Sequence, residues 1–224
     1  MNIIKTNEVE NHHIFALIVG ASGVGKTSLV KTLTHNETII LSAESGLLSV
    51  KDAEIDVVEI KSYQDLIATL KDLKENDHHY KNIFLDSLTE LGQQLFTSMK
   101  PNYEKSQMFG LYSDYSDQIT ATLKALRGLT KYNIYLTALD KSVENGINVE
   151  TSIDLIQKSL AKKLPALFDE VFYMQIVEHE GEKKRVLATD NSVHTFCKDR
   201  SGKLNIYELP DLGAINNKIF NNNN

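Results

Sequence analysis

The chain has 224 residues, 42% of them hydrophobic, which suits one large domain that folds without disulfides or structural metals. The formal net charge of −6 argues against a protein that coats nucleic acid through overall basic charge, so any DNA contact must come from a local patch. The single cysteine, Cys197, excludes an intrachain disulfide, and neither a membrane-length apolar run nor a signal-peptide pattern is present. We therefore expect a cytoplasmic protein.

Strands and helices are predicted to alternate through the first part of the chain. Residues 14–20, IFALIVG, form a continuous apolar run that predicts a strand buried on both faces, and a helix is expected from Lys26 to about Thr34. Further strands are predicted at 38–41, 57–60, 82–86 and 132–139, and further helices at 62–76, 88–99 and 119–129. This alternation predicts an α/β fold with a mostly parallel central sheet flanked by helices.

The pattern changes to short antiparallel strands after about residue 165. A hairpin is predicted from 170–177 and 184–189, two more strands from 194–198 and 203–209, and a last helix from 211–220. Residues 140–155 are polar and are expected to form a loop or loose hairpin. The expected organisation is one domain over 1–220, with a core at about 14–140, an antiparallel extension at about 165–212 and a disordered tail at 221–224.

A phosphate-binding loop is predicted at residues 20–27, GASGVGKT, which fit G-x-x-x-x-G-K-[ST] between a buried strand and a helix. Glycines allow successive backbone N–H groups to point at phosphate oxygens, and the helix N-terminus adds positive potential. Lys26 is expected to reach the β- and γ-phosphates of ATP, and Thr27 to bind Mg²⁺. The residues expected to bind the nucleotide are Gly20, Ala21, Ser22, Gly23, Val24, Gly25, Lys26, Thr27 and Ser28.

Acidic residues at the ends of two predicted strands would complete a hydrolysis site. Asp86 ends NIFLD beside the loop and is predicted to bind Mg²⁺, although it could also cap the following helix. Glu44 follows the second strand in IILSAESG and could activate water as a general base, or it could be a solvated loop residue. Glu90, one helical turn past Asp86, is the competing base, and spacing alone does not decide between them.

A pair of cations lies near the end of the chain, in CKDRSGKL at 197–204. Lys198 and Arg200 are two residues apart, so on a strand they would share one face. Taken alone, this pattern favours a solvated basic strand end.

Together, GASGVGKT, AESG, LDSLTEL and CKDRSGKL resemble the RecA-like ATPases, and in particular the short phage-type members related to single-strand annealing. The resemblance covers about residues 14–212. It implies a RecA-like P-loop NTPase core that uses ATP and Mg²⁺, assembles as a homo-oligomeric ring or filament, and acts on single-stranded DNA in phage recombination. A phage single-strand binding protein is a further possible partner.

The resemblance also assigns roles to individual residues. Glu44 matches the catalytic glutamate, Asp86 matches the magnesium-side aspartate, and Lys198 with Arg200 matches a K-x-R pair that acts on the neighbouring subunit's nucleotide. The end of the strand around Thr137 matches the γ-phosphate sensor, but RecA has glutamine where this chain has threonine and alanine. The coupling between ATP hydrolysis and DNA binding is therefore expected to be weak or to depend on other residues.

Two segments are candidates for single-stranded DNA binding, because cations among aromatics suit backbone tracking and base stacking. The segment 100–115 contains Lys100, Tyr103, Lys105, Phe109, Tyr112 and Tyr115. The segment 140–163 contains Lys141, Lys158, Lys162 and Lys163. The alternatives are aromatic residues that cover the core and a solvated helix face.

Other nucleotide-dependent functions remain open at this point. A nucleotide switch that acts on a protein partner would suit the acidic net charge, and a bare helicase-type ring is a close alternative. A GTPase is disfavoured because TALD at 137–140 lacks the lysine of a guanine-reading motif. A small-molecule kinase is disfavoured because Arg127, Arg185 and Arg200 do not cluster in the sequence. The histidine pairs His12–His13 and His78–His79 lack cysteine or acidic partners at the spacing of metal ligands, so no metal site is predicted there.

Overall fold

The computed structural model of the chain describes residues 13–44, 46–145, 148–179 and 181–220. Its centre is a ten-stranded sheet. The strands are β1 (Phe15–Gly20), β2 (Thr38–Ser42), β3 (Asp56–Glu59), β4 (Asn82–Asp86), β5 (Asn133–Asn145), β6 (Asn148–Ile153), β7 (Glu170–His179), β8 (Glu182–Ala188), β9 (Lys198–Asp199) and β10 (Tyr207–Glu208). The α-helices are α1 (Tyr63–Glu75), α2 (Leu88–Met99), α3 (Met108–Arg127), α4 (Lys158–Lys163) and α5 (Leu212–Phe220).

The strand order is β10-β8-β7-β1-β5-β4-β2-β3, with β6 beside β5 and β9 beside β7. The strands from β7 to β3 run parallel, whereas β8, β10, β6 and β9 pair antiparallel with their neighbours. The predicted α/β class, a mostly parallel sheet with an antiparallel C-terminal extension, is confirmed.

The sheet is buried on both faces, and the alternation of side chains along β1 shows why. Phe15, Leu17 and Val19 face the core that α1, α2 and α3 cover, and the Phe15 ring stacks on Phe168 at 4.5 Å. Ala16 and Ile18 face a second core under the segment that follows the phosphate loop and under α5. A strand covered on both faces must be apolar at every position, which is the pattern of IFALIVG.

The helix expected from Lys26 to Thr34 is wrong in type and length. The segment after the loop is a 3₁₀ helix, Thr27–Thr32, in which Leu29 N–H donates to the Lys26 carbonyl. The Thr32 hydroxyl donates to the Leu29 carbonyl at 2.7 Å, so a side chain competes for a backbone acceptor. Such bonds favour short turns over a continued α-helix.

Two polar segments contain regular structure. Helix α3 begins at Met108, so half of the 100–115 segment is helical, with Leu111 and Tyr115 fully buried at helical spacing. The stretch 140–155, expected to form a loop or loose hairpin, is largely a hairpin, because β5 continues to Asn145 and pairs with β6.

The strands predicted at 194–198 and 203–209 are almost absent, because β9 and β10 have two residues each. Before β9, the Cys197 N–H donates to the His194 carbonyl at 2.8 Å, which closes a turn where a strand was predicted. After β9, the Asp199 carboxylate accepts backbone N–H bonds from Gly202 and Leu204, both at 2.9 Å, and these bonds hold residues 199–204 in a turn. The expected disordered tail, 221–224, lies outside the described residues.

None of the helices in the described ranges is both long enough and apolar enough to cross a membrane.

Candidate nucleotide site

Strand register brings the predicted site residues to one edge of the sheet. Ser42 lies opposite Asp86, Leu85 lies opposite Leu136, and Gly20 lies opposite Leu139. The carboxyl ends of β1, β2, β4 and β5 therefore meet, and Glu44 and Thr137 lie beside Asp86 and the loop. In open parallel sheets, this edge is where ligands bind.

The phosphate loop has the backbone that its glycines allow. Gly23 and Gly25 adopt φ values of +75° and +111°, which side-chain-bearing residues rarely adopt. An added Cβ on Gly20 would lie 2.6 Å from the Met174 carbonyl oxygen of β7. The loop therefore requires glycine at the positions that the motif specifies.

Lys26 is buried at the centre of the site. Its ammonium donates to the carbonyls of Gly20 and Ala21, at 2.8 and 2.9 Å. Burial lowers the pKa of Lys26, and the negative charges of Asp86, Glu44 and Asp140 oppose this lowering. The ammonium is thus held by loop carbonyls among carboxylates, where phosphate oxygens could replace the carbonyls as acceptors.

Asp86 and Thr27 form an oxygen pair that fits Mg²⁺. The Thr27 hydroxyl donates to Asp86 Oδ2 at 2.7 Å, and the Thr137 hydroxyl donates to Asp86 Oδ1. Neighbouring ligands in a magnesium octahedron lie about 3 Å apart, and hydroxyl and carboxylate oxygens are ligands that Mg²⁺ prefers. Thr137, expected near the γ-phosphate, is fully buried, and its hydroxyl contacts Asp86 beside the loop.

Glu44 and Glu90 both line a cavity of about 490 Å³ at the end of β2. The Ser87 hydroxyl donates to Glu44 Oε1, and Ser87 also accepts the Glu90 N–H as the N-cap of α2. The Glu44 carboxylate is oriented by this bond, and its charge acts on Lys26. Glu44 therefore combines an orienting bond from Ser87 with a position near Lys26.

Sequence reasoning missed an acidic residue near Lys26, Asp140 on β5. Its Oδ2 accepts the Tyr173 hydroxyl at 2.8 Å, and the Tyr173 ring packs on His194 at a centroid distance of 4.0 Å. The available signal was a carboxylate just past a buried strand, the same signal that identified Asp86. The 140–155 stretch was expected to form a loop or loose hairpin, and the carboxylate that begins it was not recognised as the end of a buried strand.

Lys198 and Arg200 lie at the opposite edge of the sheet from their own phosphate loop. Strand β9 pairs with the start of β7, where Val171 faces Lys198, and this part of β7 lies beside the beginning of β1. The Lys198 ammonium donates to the Phe168 carbonyl at 2.8 Å, and Arg200 forms an ion pair with Asp169. The structure therefore does not bring this pair to Lys26 within one chain.

Two of the three arginines, which do not cluster in the sequence, meet in the structure. Arg127 Nη2 lies 2.7 Å from Asp169 Oδ1, the same oxygen that Arg200 contacts. The positions 127 and 200 are far apart in sequence, so only the topology brings them together. Arg185 is separate and lies beside the phosphate loop.

Glu170 lies next to this cluster and is almost completely buried. Its Oε1 accepts the Ser201 N–H at 3.2 Å, whereas Oε2 has no hydrogen-bond partner among the described residues. Burial, together with the negative charge of Asp199, raises the pKa of Glu170 to about 8. This carboxyl is therefore protonated at neutral pH in the folded protein.

The two candidate DNA segments meet in one groove, which we call the aromatic–lysine groove. It is a cavity of about 640 Å³ between α3 and α4, lined by Phe109, Tyr112, Lys158 and Lys163 among others. Phe109 is 89% exposed. An adjoining cavity of about 670 Å³ shares Lys158 and adds Lys162 and residues of β6.

Other members of the two segments do not line this groove. Tyr115 is buried in the core, and the Tyr103 hydroxyl contacts Asp114. Lys141 is held by Asp154 at 2.9 Å. Of the predicted aromatics, Phe109 and Tyr112 are those available to a ligand at this surface.

A buried strand, a glycine loop with its lysine, and a hydroxyl–carboxylate pair at the carboxyl edge of a parallel sheet define a P-loop NTPase. A family model described as AAA domain matches residues 12–201, and the chain belongs to this family of AAA domains. Membership indicates nucleotide binding and hydrolysis. No curated protein matches the chain.

The raised pKa of Glu170 predicts a specific dependence of stability on pH. Between its ordinary value of 4.5 and about 8, the folded protein keeps a proton that the unfolded chain releases. Unfolding then releases a proton, so the contribution of Glu170 to the free energy of unfolding falls as pH rises, by up to roughly 1.4 kcal/mol per pH unit. Glu170→Gln removes the titration, so the variant should gain stability relative to wild type between about pH 5 and 8, measured by urea unfolding.

The matched control is Glu59→Gln, because Glu59 is exposed on the edge strand β3. Its stability should follow the wild-type pH profile. A constant difference between Glu170→Gln and wild type over this pH range would contradict a shifted pKa.

Proposed function

We propose that the protein is an ATP- and Mg²⁺-dependent ATPase that self-associates and acts on single-stranded DNA in phage recombination or annealing. The observation that carries the ATPase part is the arrangement of Lys26, Thr27, Asp86 and Glu44 around one point at the carboxyl edge of the sheet. The oligomer, the DNA substrate and the phage context rest on the resemblance to RecA-like proteins and on the surfaces described below.

Each residue has a distinct task in the proposed reaction. The loop N–H groups and Lys26 bind the β- and γ-phosphates, while Thr27 and Asp86 hold Mg²⁺. Mg²⁺ held by these two residues would neutralise charge on the transferring phosphoryl group. Glu44, oriented by Ser87, accepts a proton from the attacking water.

Self-association is proposed because the cation pair faces away from its own site. Lys198 and Arg200 lie at the amino edge of the sheet, so a phosphate that they contact must belong to a neighbour. A head-to-tail assembly, ring or filament, would bring this edge to the next subunit's carboxyl edge. Arg200 would then exchange its ion pair with Asp169 for the neighbour's phosphate, and Arg127 would keep Asp169 paired.

The aromatic–lysine groove supports single-stranded DNA as the substrate. An exposed aromatic ring offers a stacking face to any base, and lysines along the same groove can follow the phosphates. The overall charge of −6 does not oppose this, because three lysines line the two adjoining cavities against two acidic residues, Asp117 and Glu150. A nucleotide switch with a protein partner is the alternative function, and DNA binding distinguishes the two.

The first prediction concerns the general base. Glu44→Gln should lower ATP turnover by about 10²-fold or more, because a general base contributes on the order of 10²–10⁴-fold. ATP affinity should stay within about threefold, because the phosphates contact other groups. Phosphate release measures turnover, and calorimetry measures binding. Glu90→Gln is the matched control and should retain turnover; the reverse result would assign the base to Glu90.

The second prediction concerns the proposed shared site. Lys26→Ala should lose ATP binding, whereas Arg200→Ala should bind ATP but lose turnover. Mixing the two inactive variants should restore activity, since about one interface in four would combine an intact loop with an intact Arg200. Lys203→Ala, at the other end of the same turn, should keep turnover. Full activity of Arg200→Ala alone, or no recovery on mixing, would refute a role in trans.

The third prediction concerns the groove. Phe109→Ala should weaken binding of an oligothymidylate about tenfold, because a base stacked on an aromatic contributes roughly 1–3 kcal/mol. Lys163→Ala should reduce the slope of log affinity against log salt by about 0.7, as expected for one lost contact to a single strand. Fluorescence anisotropy over a salt series measures both. Lys105→Ala, outside the groove, should change neither, and a wild-type protein that does not bind the oligonucleotide with ATP present would favour the switch.

A further inference from the structure

Arg185 on β8 lies against the outside of the phosphate loop. Its Nε donates to the Val24 carbonyl at 3.0 Å. An ideal Cβ on Gly25 would lie 3.6 Å from this Nε and 3.7 Å from the Arg185 Cδ, so the side chain runs along the loop backbone. None of the roles assigned above uses this residue.

The terminal part of the Arg185 guanidinium, which does not contact the loop, is available to a ligand. Within the described part of the chain, no hydrogen bond or ion pair engages its two terminal nitrogens, and the residue is exposed. Anchoring through Nε therefore leaves a flat, charged face in solvent beside an anion-binding loop. A guanidinium held in this way is suited to stack on an aromatic ring.

An apolar side chain extends the same surface. Ile176 of β7 lies directly opposite Arg185 in the β7–β8 register, so the two share one face of the sheet. Ile176 is 52% exposed, whereas Met174, two residues earlier on that face, is buried against the loop. The face thus passes from a buried contact with the loop to an exposed apolar and cationic surface.

The strand order shows which end of a nucleotide this surface would meet. Asp86, Glu44 and Asp140 follow or belong to β4, β2 and β5, which all lie on one side of β1, whereas β7 and β8 lie on the other. The terminal phosphate must face Lys26 and the acids, because Mg²⁺ and the attacking water are bound there. The nucleoside end then leaves the loop on the β7–β8 side.

We infer that Arg185 and Ile176 form the platform on which the purine base of the bound nucleotide stacks. The planar guanidinium lies against the base, and Ile176 covers the neighbouring apolar edge. Arg185 is also hydrogen-bonded to the phosphate loop through the Val24 carbonyl, so one side chain contacts both the base and the loop. This inference rests on the proposed ATP function and adds the base-recognition site to it.

The test compares two probes, ATP and inorganic tripolyphosphate, each with Mg²⁺ and measured by calorimetry on the full chain. Arg185→Lys keeps a positive charge and a donor for the Val24 carbonyl but removes the planar face. It should weaken ATP binding about tenfold, as expected for a lost base stack, and leave tripolyphosphate binding within about twofold. The Ile176 side chain makes no hydrogen bond to the loop. Ile176→Ala should therefore weaken ATP binding about threefold and leave the affinity for tripolyphosphate unchanged.

The control is Lys184→Ala, a cation on the same strand that faces the other side of the sheet and pairs with Glu182 at 3.2 Å. It should change the binding of neither probe. Provided that the wild type binds ATP, three outcomes would each overturn the platform. The first is unchanged ATP affinity in Arg185→Lys and Ile176→Ala, and the second is an equal loss of affinity for ATP and tripolyphosphate in these variants. The third is a loss of affinity in Lys184→Ala as large as in Arg185→Lys. A wild-type chain that binds neither probe would instead overturn the proposed ATPase function and the platform with it.

Discussion

The carboxylate of Asp86 is the group on which the geometry of the nucleotide site depends. Its two oxygens accept hydroxyl groups from the phosphate loop and from β5, through Thr27 and Thr137. Its backbone carbonyl accepts the N–H groups of Ala43 and Glu44, at 2.7 and 3.1 Å. Three segments that are distant in sequence are thereby fixed to one residue that is 3% exposed. Loss of a partner would leave a buried charge unsatisfied, which is costly.

The charge balance around Asp86 explains why such a site requires added cations. Lys26 brings one positive charge, whereas Asp86, Glu44 and Asp140 bring three negative charges close enough to act on it. A triphosphate would add more negative charge to this edge, so the proposed reaction would need Mg²⁺ and further positive groups. The chain places Arg185 on the near side of the loop and Arg200 on the far edge of the sheet, where a neighbour could receive it.

The parts of the site that the sequence predicts are those encoded by local pattern. GASGVGKT specifies a loop whose φ values need glycine, and Asp86 and Glu44 are recognisable because each follows a short buried strand. The missed parts depend on pairing between distant segments. Arg185 meets Val24 across 161 positions, and Arg127 and Arg200 converge on Asp169 only because β9 returns to β7. No single-segment periodicity contains this information.

Helix α3 shows a different reason for a partial prediction. Lysines and aromatics in 100–115 indicated a ligand-binding loop, yet Leu111, Tyr115 and Ile119 repeat every four residues and form one buried stripe. The two interpretations are compatible once the helix is placed. The buried stripe fixes α3 on the core, so Phe109, just before the stripe, and Tyr112, between two of its members, lie on the side of the helix that lines the groove.

Strand β5 joins the nucleotide site to the segment that lines the proposed DNA surface. Thr137 contacts Asp86, Asp140 contacts Tyr173, and Lys141 contacts Asp154 beyond the end of β6. These residues follow one another on one continuous strand, so the candidate nucleotide site and the β5–β6 hairpin share a single element. Three residues after Thr137, the same strand supplies a second polar contact at Asp140, whose carboxylate accepts the Tyr173 hydroxyl of β7. Thr137 and Asp140 therefore tie β5 to both β4 and β7 at the edge of the sheet that holds the candidate nucleotide site.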